Sequence, residues 1–262
     1  MESIRIKNPF PGAGCFFKEE TSSTMDEARS LAQLGFPAGT TIATDSQTKG
    51  RGRLAERHWT SSVGKNILAT IILSPDFSQK SGFTLLVGLA LCRALEIFCL
   101  QTGKVSPEKP RIKWPNDVFI SGKKVAGILC ESVPEGVLVG VGINVNERNF
   151  PPDIQKKASS LALLLGVEEG TELDRWRLLE LFLEQLPFAI LDDDWQAEVE
   201  DHLWLRGEEV EFLEGLPSAN SIVHGKLDGI ARSGALLITQ KGESRPREYI
   251  SGELIVPGSR AS

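Results

Sequence analysis

The sequence predicts an α+β fold in which helices pack on a mostly antiparallel sheet, followed by a small β-barrel-like region. Apolar residues recur at helical spacing over 24–34, 82–100, 158–165 and 173–191, and β-rich runs cover 40–44, 66–73, 111–120, 124–131 and 137–145. Turn residues at 121–123 and 134–136 join the last three of these runs as hairpins. We expect one domain over 1–203 and a second over 204–262.

Local signals support two of the predicted helices. Thr24 and Glu27 have the spacing of a capping box, and Gly35 follows the last apolar residue of that segment. The segment 82–100 is long enough to cross a membrane, but Arg93 and Glu96 interrupt it, which favours a buried core helix.

The pattern changes after about residue 204. Short β-runs at 210–213, 222–230, 236–240, 247–250 and 254–256 alternate with glycines, which is typical of a small barrel. An acidic segment at 192–194 and a following helix join this part to the first.

Composition, net charge and cysteine spacing argue against several classes of protein. A chain of 262 residues that is 41% apolar can bury a substantial core, and its net charge of -6 gives no electrostatic reason to expect nucleic acid as the main partner. The four cysteines form no CxxC pair, which argues against a zinc site or a disulfide framework. The N-terminus carries no signal-peptide pattern, so we expect a cytoplasmic protein with free thiols.

The segment 47–53 alternates glycine with arginine and is followed by Trp59. Glycine permits close backbone approach, and guanidinium groups bind carboxylate or phosphate in a bidentate manner. An anion-binding loop is therefore favoured, with an exposed basic turn and a nucleic-acid contact as the alternatives. The acidic balance of the chain weakens the last of these.

Two further segments carry candidate binding residues. The residues 113–117, Lys-Trp-Pro-Asn-Asp, combine a cation with side chains that bind metal-bridged phosphate, although Asn116 and Asp117 would also suit an ordinary turn. Lys124 begins a strand that contains Gly127, where the missing side chain leaves room for a ligand or marks a bulge.

The segment 140–144 reads Gly-x-Gly-x-Asn within a strand. It lacks the third glycine and the strand-to-helix context of a dinucleotide fingerprint, and the chain has no GxxxxGK[ST] phosphate loop. Any use of ATP must therefore depend on another architecture.

Taken together and in order, these segments resemble the biotin protein ligases. The resemblance runs from Ser23 through the loop and residues 113–117, 124–128 and 140–144 into the C-terminal 228–230 and 234–236. It implies a class II aminoacyl-tRNA synthetase-like catalytic domain followed by a small SH3-like β-barrel. It identifies a monofunctional form, because Ser23 lies too near the start for the N-terminal DNA-binding domain of some members.

The resemblance also implies which residues bind the substrates. Biotin contacts fall on Ser23, Thr24, Met25, Gln47, Gly50, Arg51, Gly52, Arg53, Lys124, Gly127, Ile128, Gly140 and Gly142. Contacts with ATP fall on Arg57, Trp59, Lys113, Asn116 and Asn144, and Asp117 is the expected ligand of Mg²⁺. Because the family often has asparagine where Met25 stands, only a backbone contact is expected there.

The implied reaction joins biotin to ATP as biotinyl-adenylate and then transfers biotin to a lysine of a carboxylase carrier domain. Lys124, Arg53 and Lys113 are the expected catalytic residues. A homodimer is possible, and neither DNA nor a membrane is an expected partner. The alternatives are a lipoate protein ligase, an octanoyl transferase that uses a cysteine such as Cys130, and a biotin-responsive DNA-binding regulator.

Overall fold

A mixed eight-stranded sheet organises the first two thirds of the chain. The computed structural model describes residues 1–54, 56, 58–215 and 221–256. The strands are β1 (Glu2–Ser3), β2 (Cys15–Thr21), β3 (Thr41–Gln47), β4 (Ile67–Leu73), β5 (Arg111–Lys113), β6 (Asp117–Ile120), β7 (Lys123–Val133) and β8 (Gly136–Ile143). Their spatial order is β1-β2-β3-β4-β8-β7-β6-β5, with β2 and β3 parallel and the other neighbours antiparallel. The predicted α+β class and mostly antiparallel sheet are therefore confirmed.

Helices cover both faces of this sheet. They are α1 (Thr24–Gln33), α2 (Phe83–Thr102), α3 (Leu161–Leu164), α4 (Arg175–Leu191) and α5 (Trp195–Asp201), with a 3-10 helix at Pro75–Gln79. On one face, α1 buries Met25, Ala28 and Leu31 against β3, β4 and β8. The larger core lies on the other face, where α2 and α4 pack together over the sheet.

The membrane-length segment is the core helix α2. Its length and composition pass the test for a membrane span, and 72% of the most apolar window is buried inside the protein. Glycines with positive φ, Gly82 and Gly103, stand at its two ends. Because its apolar residues face the sheet and α4, burial within the fold explains the composition of this helix.

Several predicted boundaries were wrong. The run 111–120 forms two antiparallel strands, because Pro115 lacks a backbone N–H and lies in the turn between β5 and β6. The helix predicted over 158–165 begins only at Leu161, since Ala158 pairs with Lys124 in an isolated bridge. The last strand is Gly252–Leu254 rather than 254–256, and β1 and β2 were not predicted.

The predicted capping box at α1 is also wrong. The N-cap residue is Ser23, whose side chain makes no capping hydrogen bond. The Glu27 carboxylate instead accepts hydrogen bonds from Thr21 Oγ1 at 2.7 Å and Lys18 Nζ at 2.5 Å, both on β2. Tertiary contacts with a neighbouring strand have replaced the local capping contact, which leaves the Ser23 hydroxyl available for another partner.

A second sheet follows, made of β9 (Glu209–Glu214), β10 (Ser221–Ile230), β11 (Leu236–Gln240), β12 (Arg247–Tyr249) and β13 (Gly252–Leu254). Its order is β12-β11-β10-β9-β13, so two residues join the strands at opposite edges. Three peptide steps span roughly 11 Å, whereas a flat sheet of five strands would separate its edges by about 19 Å. The sheet must therefore curl until its edges approach each other.

The curled sheet shares a hydrophobic core with the first part of the chain. Trp114 is the main connection: its Nε1 donates to the Gly234 carbonyl oxygen at 3.0 Å, and its ring centroid lies 5.8 Å from that of Phe212. Trp114 follows β5 directly, and Phe212 lies on β9, the strand that pairs with β13. The contact between the two rings therefore brings β13 close to the segment 113–117.

Candidate active site

Glycines on two neighbouring strands form the floor of a cleft. Gly127 on β7 faces Gly142 on β8 in the antiparallel register, and Gly140 lies two residues before Gly142. Without side chains, these positions leave a flat backbone surface on which the indole of Trp59 lies. A Cβ atom added at Gly142 would come within 2.5 Å of Trp59 Cε2, so glycine is required for this approach.

The cleft has a volume of about 670 Å³ and brings together nearly all the predicted site residues. Those that line it are Ser23, Thr24, Met25, Gln47, Arg51, Gly52, Arg53, Trp59, Lys113, Asn116, Asp117, Lys124, Gly127, Ile128, Gly140, Gly142 and Asn144. Gly50 lies just behind the lining, and Arg57 is outside the described residues. A shallower concavity of about 720 Å³ beside α4 includes none of them.

One end of the cleft presents neutral polar groups. Gln47 Oε1 accepts hydrogen bonds from Thr24 N at 2.8 Å and from Thr24 Oγ1 at 3.2 Å, while Thr70 Oγ1 donates to Thr24 Oγ1 at 2.8 Å. Ser23 Oγ is buried and has no hydrogen-bond partner within the described part of the chain. A buried hydroxyl without a partner is costly unless a ligand supplies one, so this end suits a ligand with polar edges.

The other end carries two lysines and two carboxylates. Lys124 Nζ lies 2.7 Å from Asp117 Oδ1, and Lys113 Nζ lies 3.2 Å from Glu253 Oε1. Burial lowers the pKa of Lys113, while the charges of Asp117 and Glu253 oppose that shift. Two ammonium groups thus face the same cleft, where they could bind the oxygens of phosphate or carboxylate groups.

Two asparagines are fixed by the backbone around them. Asn116 Nδ2 donates to the Ile128 carbonyl oxygen at 2.8 Å, which joins the β5–β6 turn to β7. Asn144 Nδ2 donates to the Ser159 carbonyl oxygen at 3.2 Å, which ties the end of β8 to the segment before α3. Part of each predicted ATP-binding amide is therefore occupied in holding the walls of the cleft together.

The segment from residue 47 to residue 64, here called the Arg-Gly loop, lines this region with Arg51, Gly52, Arg53 and Trp59. Arg51 and His58 form an isolated antiparallel bridge, and Trp59 N donates to the Gly50 carbonyl oxygen at 3.2 Å. A Cβ atom at Gly50 would lie 2.6 Å from the Trp59 carbonyl oxygen, which explains the glycine there. Arg53 Nη2 donates to the Gly252 carbonyl oxygen at 3.0 Å and so reaches the second sheet.

Sequence reasoning did not find every residue at this site. Glu253 lies in β13 and pairs with Lys113 across 140 positions of the sequence, where no local pattern marks it. Phe150, Ile154 and Lys157 also line the cleft and were not predicted.

The arrangement suits electrostatic catalysis of a reaction between anionic groups. No group of three or more His, Cys, Asp or Glu side chains within the described residues could hold a metal on its own, although Asp117 could contribute one carboxylate to an ion that phosphate also binds. The cysteine nearest the floor, Cys130 on β7, is a poor nucleophile because burial raises the pKa of its thiol to about 12.

Comparison with known proteins places these features in one family. Residues 17–147 match the model of the biotin/lipoate A/B protein ligase family. The bifunctional ligase/repressor BirA of Bacillus spizizenii is 33% identical over 90% of this chain and 73% of its own length. The biotin–acetyl-CoA-carboxylase ligase of Paracoccus denitrificans is 32% identical over 83% of this chain and 91% of its own length.

A solved structure agrees with the sequence matches. The biotin protein ligase of Aquifex aeolicus, in complex with biotin and ATP, superposes with a TM-score of 0.76 at 29% identity, covering 92% of this chain and 97% of that one. The chain belongs to the biotin/lipoate A/B protein ligase family. Within that family the matches confirm the prediction of a biotin protein ligase over the lipoyl and octanoyl alternatives.

Proposed function

We propose that this cleft joins biotin to ATP and then transfers the biotinyl group to a carrier lysine. The observation that carries the proposal is the pair of lysines, Lys113 and Lys124, at one end of a glycine-floored cleft with neutral polar groups at the other. Biotin combines a compact apolar ring system, a polar ureido group and a carboxylate, and ATP brings the phosphates. The cleft therefore offers binding groups for both substrates: neutral polar groups for the ureido group, the glycine floor for the rings, and the lysines for the carboxylate and phosphates.

In the first step, a carboxylate oxygen of biotin attacks the α-phosphorus of ATP. The bond from that phosphorus to the bridging oxygen of the β-phosphate breaks, and pyrophosphate leaves. Lys124 binds the biotin carboxylate and the new bridging oxygen, while Lys113 and Arg53 bind phosphate oxygens. Fixed cations in a closed site stabilise the charge that builds up in the transition state by several kcal/mol, on the order of that for other preorganised sites.

In the second step, the ε-amine of the carrier lysine attacks the acyl carbon of the mixed anhydride. The bond from that carbon to the AMP oxygen breaks, and the amine loses a proton as the amide forms. Because AMP is a good leaving group, positioning contributes most of the acceleration. The carrier would be a biotin carboxyl carrier protein, or the equivalent domain of acetyl-CoA carboxylase or a related carboxylase.

The remaining contacts follow from the geometry of the cleft. Ser23, Thr24 and Gln47 would bind the ureido group, with Met25 contributing its backbone. Gly127, Gly140 and Gly142 would accommodate the rings beside Ile128, and Gly50, Arg51 and Gly52 would contact the substrate through the loop backbone. Trp59, Asn116, Asn144 and Arg57 would contact ATP.

Mg²⁺ fits this donor set through Asp117, because the ion commonly binds through one carboxylate together with phosphate oxygens and water. When bound, it would neutralise charge on the phosphates.

The two sheets support a finer description of the fold as well. A class II aminoacyl-tRNA synthetase-like domain over 1–203 and an SH3-like barrel over 204–262 would account for the mixed sheet and for the curled one. A cytoplasmic location, a homodimer and the absence of DNA binding stay predictions. A gel-shift assay, light scattering and cell fractionation would test them.

The decisive experiment is a single turnover without carrier. The protein is incubated with labelled ATP, Mg²⁺ and either biotin or lipoate, and the products are analysed for adenylate. We expect biotinyl-adenylate with biotin and its loss in Lys124→Ala, with Lys226→Ala, a lysine of the second sheet outside the cleft, as the matched control. Adenylate from lipoate alone, or from neither acid, would overturn the proposal.

A further inference from the structure

Four charged side chains form a closed ring at the edge of the cleft. Arg51 belongs to the Arg-Gly loop, Asp26 and Arg29 to α1, and Glu131 to β7. Arg29 Nη1 lies 3.0 Å from Asp26 Oδ1, and Arg29 Nη2 lies 2.5 Å from Glu131 Oε2. Arg51 pairs with Asp26 and lies 3.8 Å from Glu131 Oε1. Each arginine thus pairs with each carboxylate, and we call this set the charge ring.

The charge ring joins a loop to two regular elements. Asp26 and Arg29 on α1 and Glu131 on β7 are held by the hydrogen bonds of regular elements. Arg51 lies on the Arg-Gly loop, which lines the cleft. Only Gly52 separates Arg51 from Arg53, so fixing the Arg51 side chain also fixes the chain that carries Arg53 to the cleft. The Arg51 guanidinium is paired with two carboxylates, so protein groups already compensate its charge.

We propose that the charge ring is a latch that positions the Arg-Gly loop over the cleft, with Arg51 as a positioning residue bound to protein carboxylates. Asp26 and Glu131, which lie on α1 and β7, are the carboxylates to which the Arg51 side chain binds when the loop is closed. It rests on the proposed function only through the ligand that the loop would retain, biotinyl-adenylate. A mixed anhydride reacts with water, so the fraction of time that the loop stays closed sets how long the intermediate survives.

The exposure of the four side chains makes the latch weak enough to open. Their exposed fractions are 37% for Arg51, 50% for Asp26, 31% for Arg29 and 28% for Glu131. Ion pairs of such exposure are individually weak and are screened by salt. Loss of one carboxylate should therefore raise the open fraction by about two- to fivefold, and salt should act in the same direction.

The first test needs no ligand. Trypsin cleavage after Arg53 reports the open fraction of the loop when opening is fast relative to cleavage. We expect Asp26→Asn and Glu131→Gln to be cleaved about two- to fivefold faster than the unchanged protein at low salt, with little further increase at high salt. Glu243→Gln removes a surface ion pair with Arg247 outside the cleft and is the control. Equal cleavage of all four proteins at low salt would overturn the latch.

The second test follows the release of synthetic biotinyl-adenylate. Asp26→Asn should release it about two- to fivefold faster, and Asp26→Glu, which keeps the charge, should restore slow release. Arg51→Gln combined with Asp26→Asn should release it no faster than the faster single variant, because both break the same contact. Additive effects would mean that the Arg51 side chain binds the ligand itself and would overturn its assignment as a positioning residue.

The two tests also separate this proposal from the proposed function. If the protein fails to bind biotinyl-adenylate, the function is wrong, while trypsin cleavage of the ligand-free protein still decides whether the latch exists.

Discussion

Lys113 Nζ lies 3.2 Å from Glu253 Oε1, so a carboxylate on β13 of the second sheet compensates the charge of a lysine at the end of β5 in the first sheet. Only 3% of the Lys113 side chain is exposed. Burial lowers the pKa of this lysine, and the carboxylates of Asp117 and Glu253 counteract the shift. A lysine must carry its proton if it is to bind phosphate. Glu253, although distant in the sequence, favours the protonated form of Lys113.

Replacing Glu253 by glutamine should weaken ATP binding. Without the carboxylate, the buried ammonium loses an ion pair and becomes less favourable. A charged hydrogen bond is worth roughly 1.5–3 kcal/mol, so we expect the KM for ATP to rise by about tenfold or more. The KM for biotin should stay nearly constant, because the contacts at the polar end of the cleft are unchanged. Steady-state kinetics with Glu248→Gln, an exposed glutamate of the same sheet, provides the control.

The same variant should change the pH dependence of the reaction. Lys113 is charged below its pKa, and since burial lowers that pKa, the charge is lost at a lower pH than in an ordinary lysine. Glu253→Gln removes an influence that raises the pKa, so the alkaline decline of kcat/KM for ATP should move to lower pH. An alkaline decline at the same pH in both proteins would show that another group controls it.

Gly142 should tolerate no side chain without loss of biotin binding. A Cβ atom there would meet Trp59 Cε2 at 2.5 Å and would project from the floor of the cleft. We expect Gly142→Ala to fold, because the atoms that its Cβ would meet belong to the Trp59 side chain and not to the backbone. It should bind biotin at least about tenfold more weakly, as expected for a contact misplaced by about 1 Å in a tight site. Titration calorimetry and a melting curve would separate the two effects. Gly88→Ala, in α2, has Ile112 atoms no nearer than 3.4 Å and should keep its affinity.

Local patterns predicted the floor of the cleft but not its walls. Gly127, Gly140 and Gly142 lie on strands whose β-rich runs and turn residues are visible in the sequence, and a hairpin necessarily brings them together.

Glu27 shows where prediction from local sequence patterns fails. Its spacing from Thr24 indicates a capping box, but Lys18 and Thr21 bind its carboxylate from a parallel strand that was not predicted.

The pairs that complete the site are non-local. Lys113 and Glu253, or Arg51 and Glu131, meet only after two elements have packed, and side-chain charge alone does not predict which partner each will choose. The sequence therefore predicted the residues that line the cleft better than the residues that hold them in position.

Cys130 should be dispensable for catalysis. Burial raises the pKa of its thiol to about 12, so almost none of it is thiolate near neutral pH. We expect Cys130→Ala to form biotinyl-adenylate at a rate within about threefold of the unchanged protein, the effect of a small change in packing. Complete loss of activity together with a normal melting temperature would instead indicate a covalent step through this cysteine.

Glu147 should stabilise the fold by anchoring the far end of the Arg-Gly loop. The residue is 5% exposed, and its carboxylate accepts hydrogen bonds from Ser62 N at 2.8 Å, Ser62 Oγ at 3.0 Å and Asn66 Nδ2 at 3.3 Å. Glutamine would place an amide N–H₂ group where donors already converge, so Glu147→Gln should lower the free energy of unfolding by about 1–3 kcal/mol. Urea denaturation would measure the change. Glu172→Gln breaks an exposed pair with Lys65 and should cost less than about 1 kcal/mol; equal losses in both variants would contradict the role of Glu147 as a buried anchor.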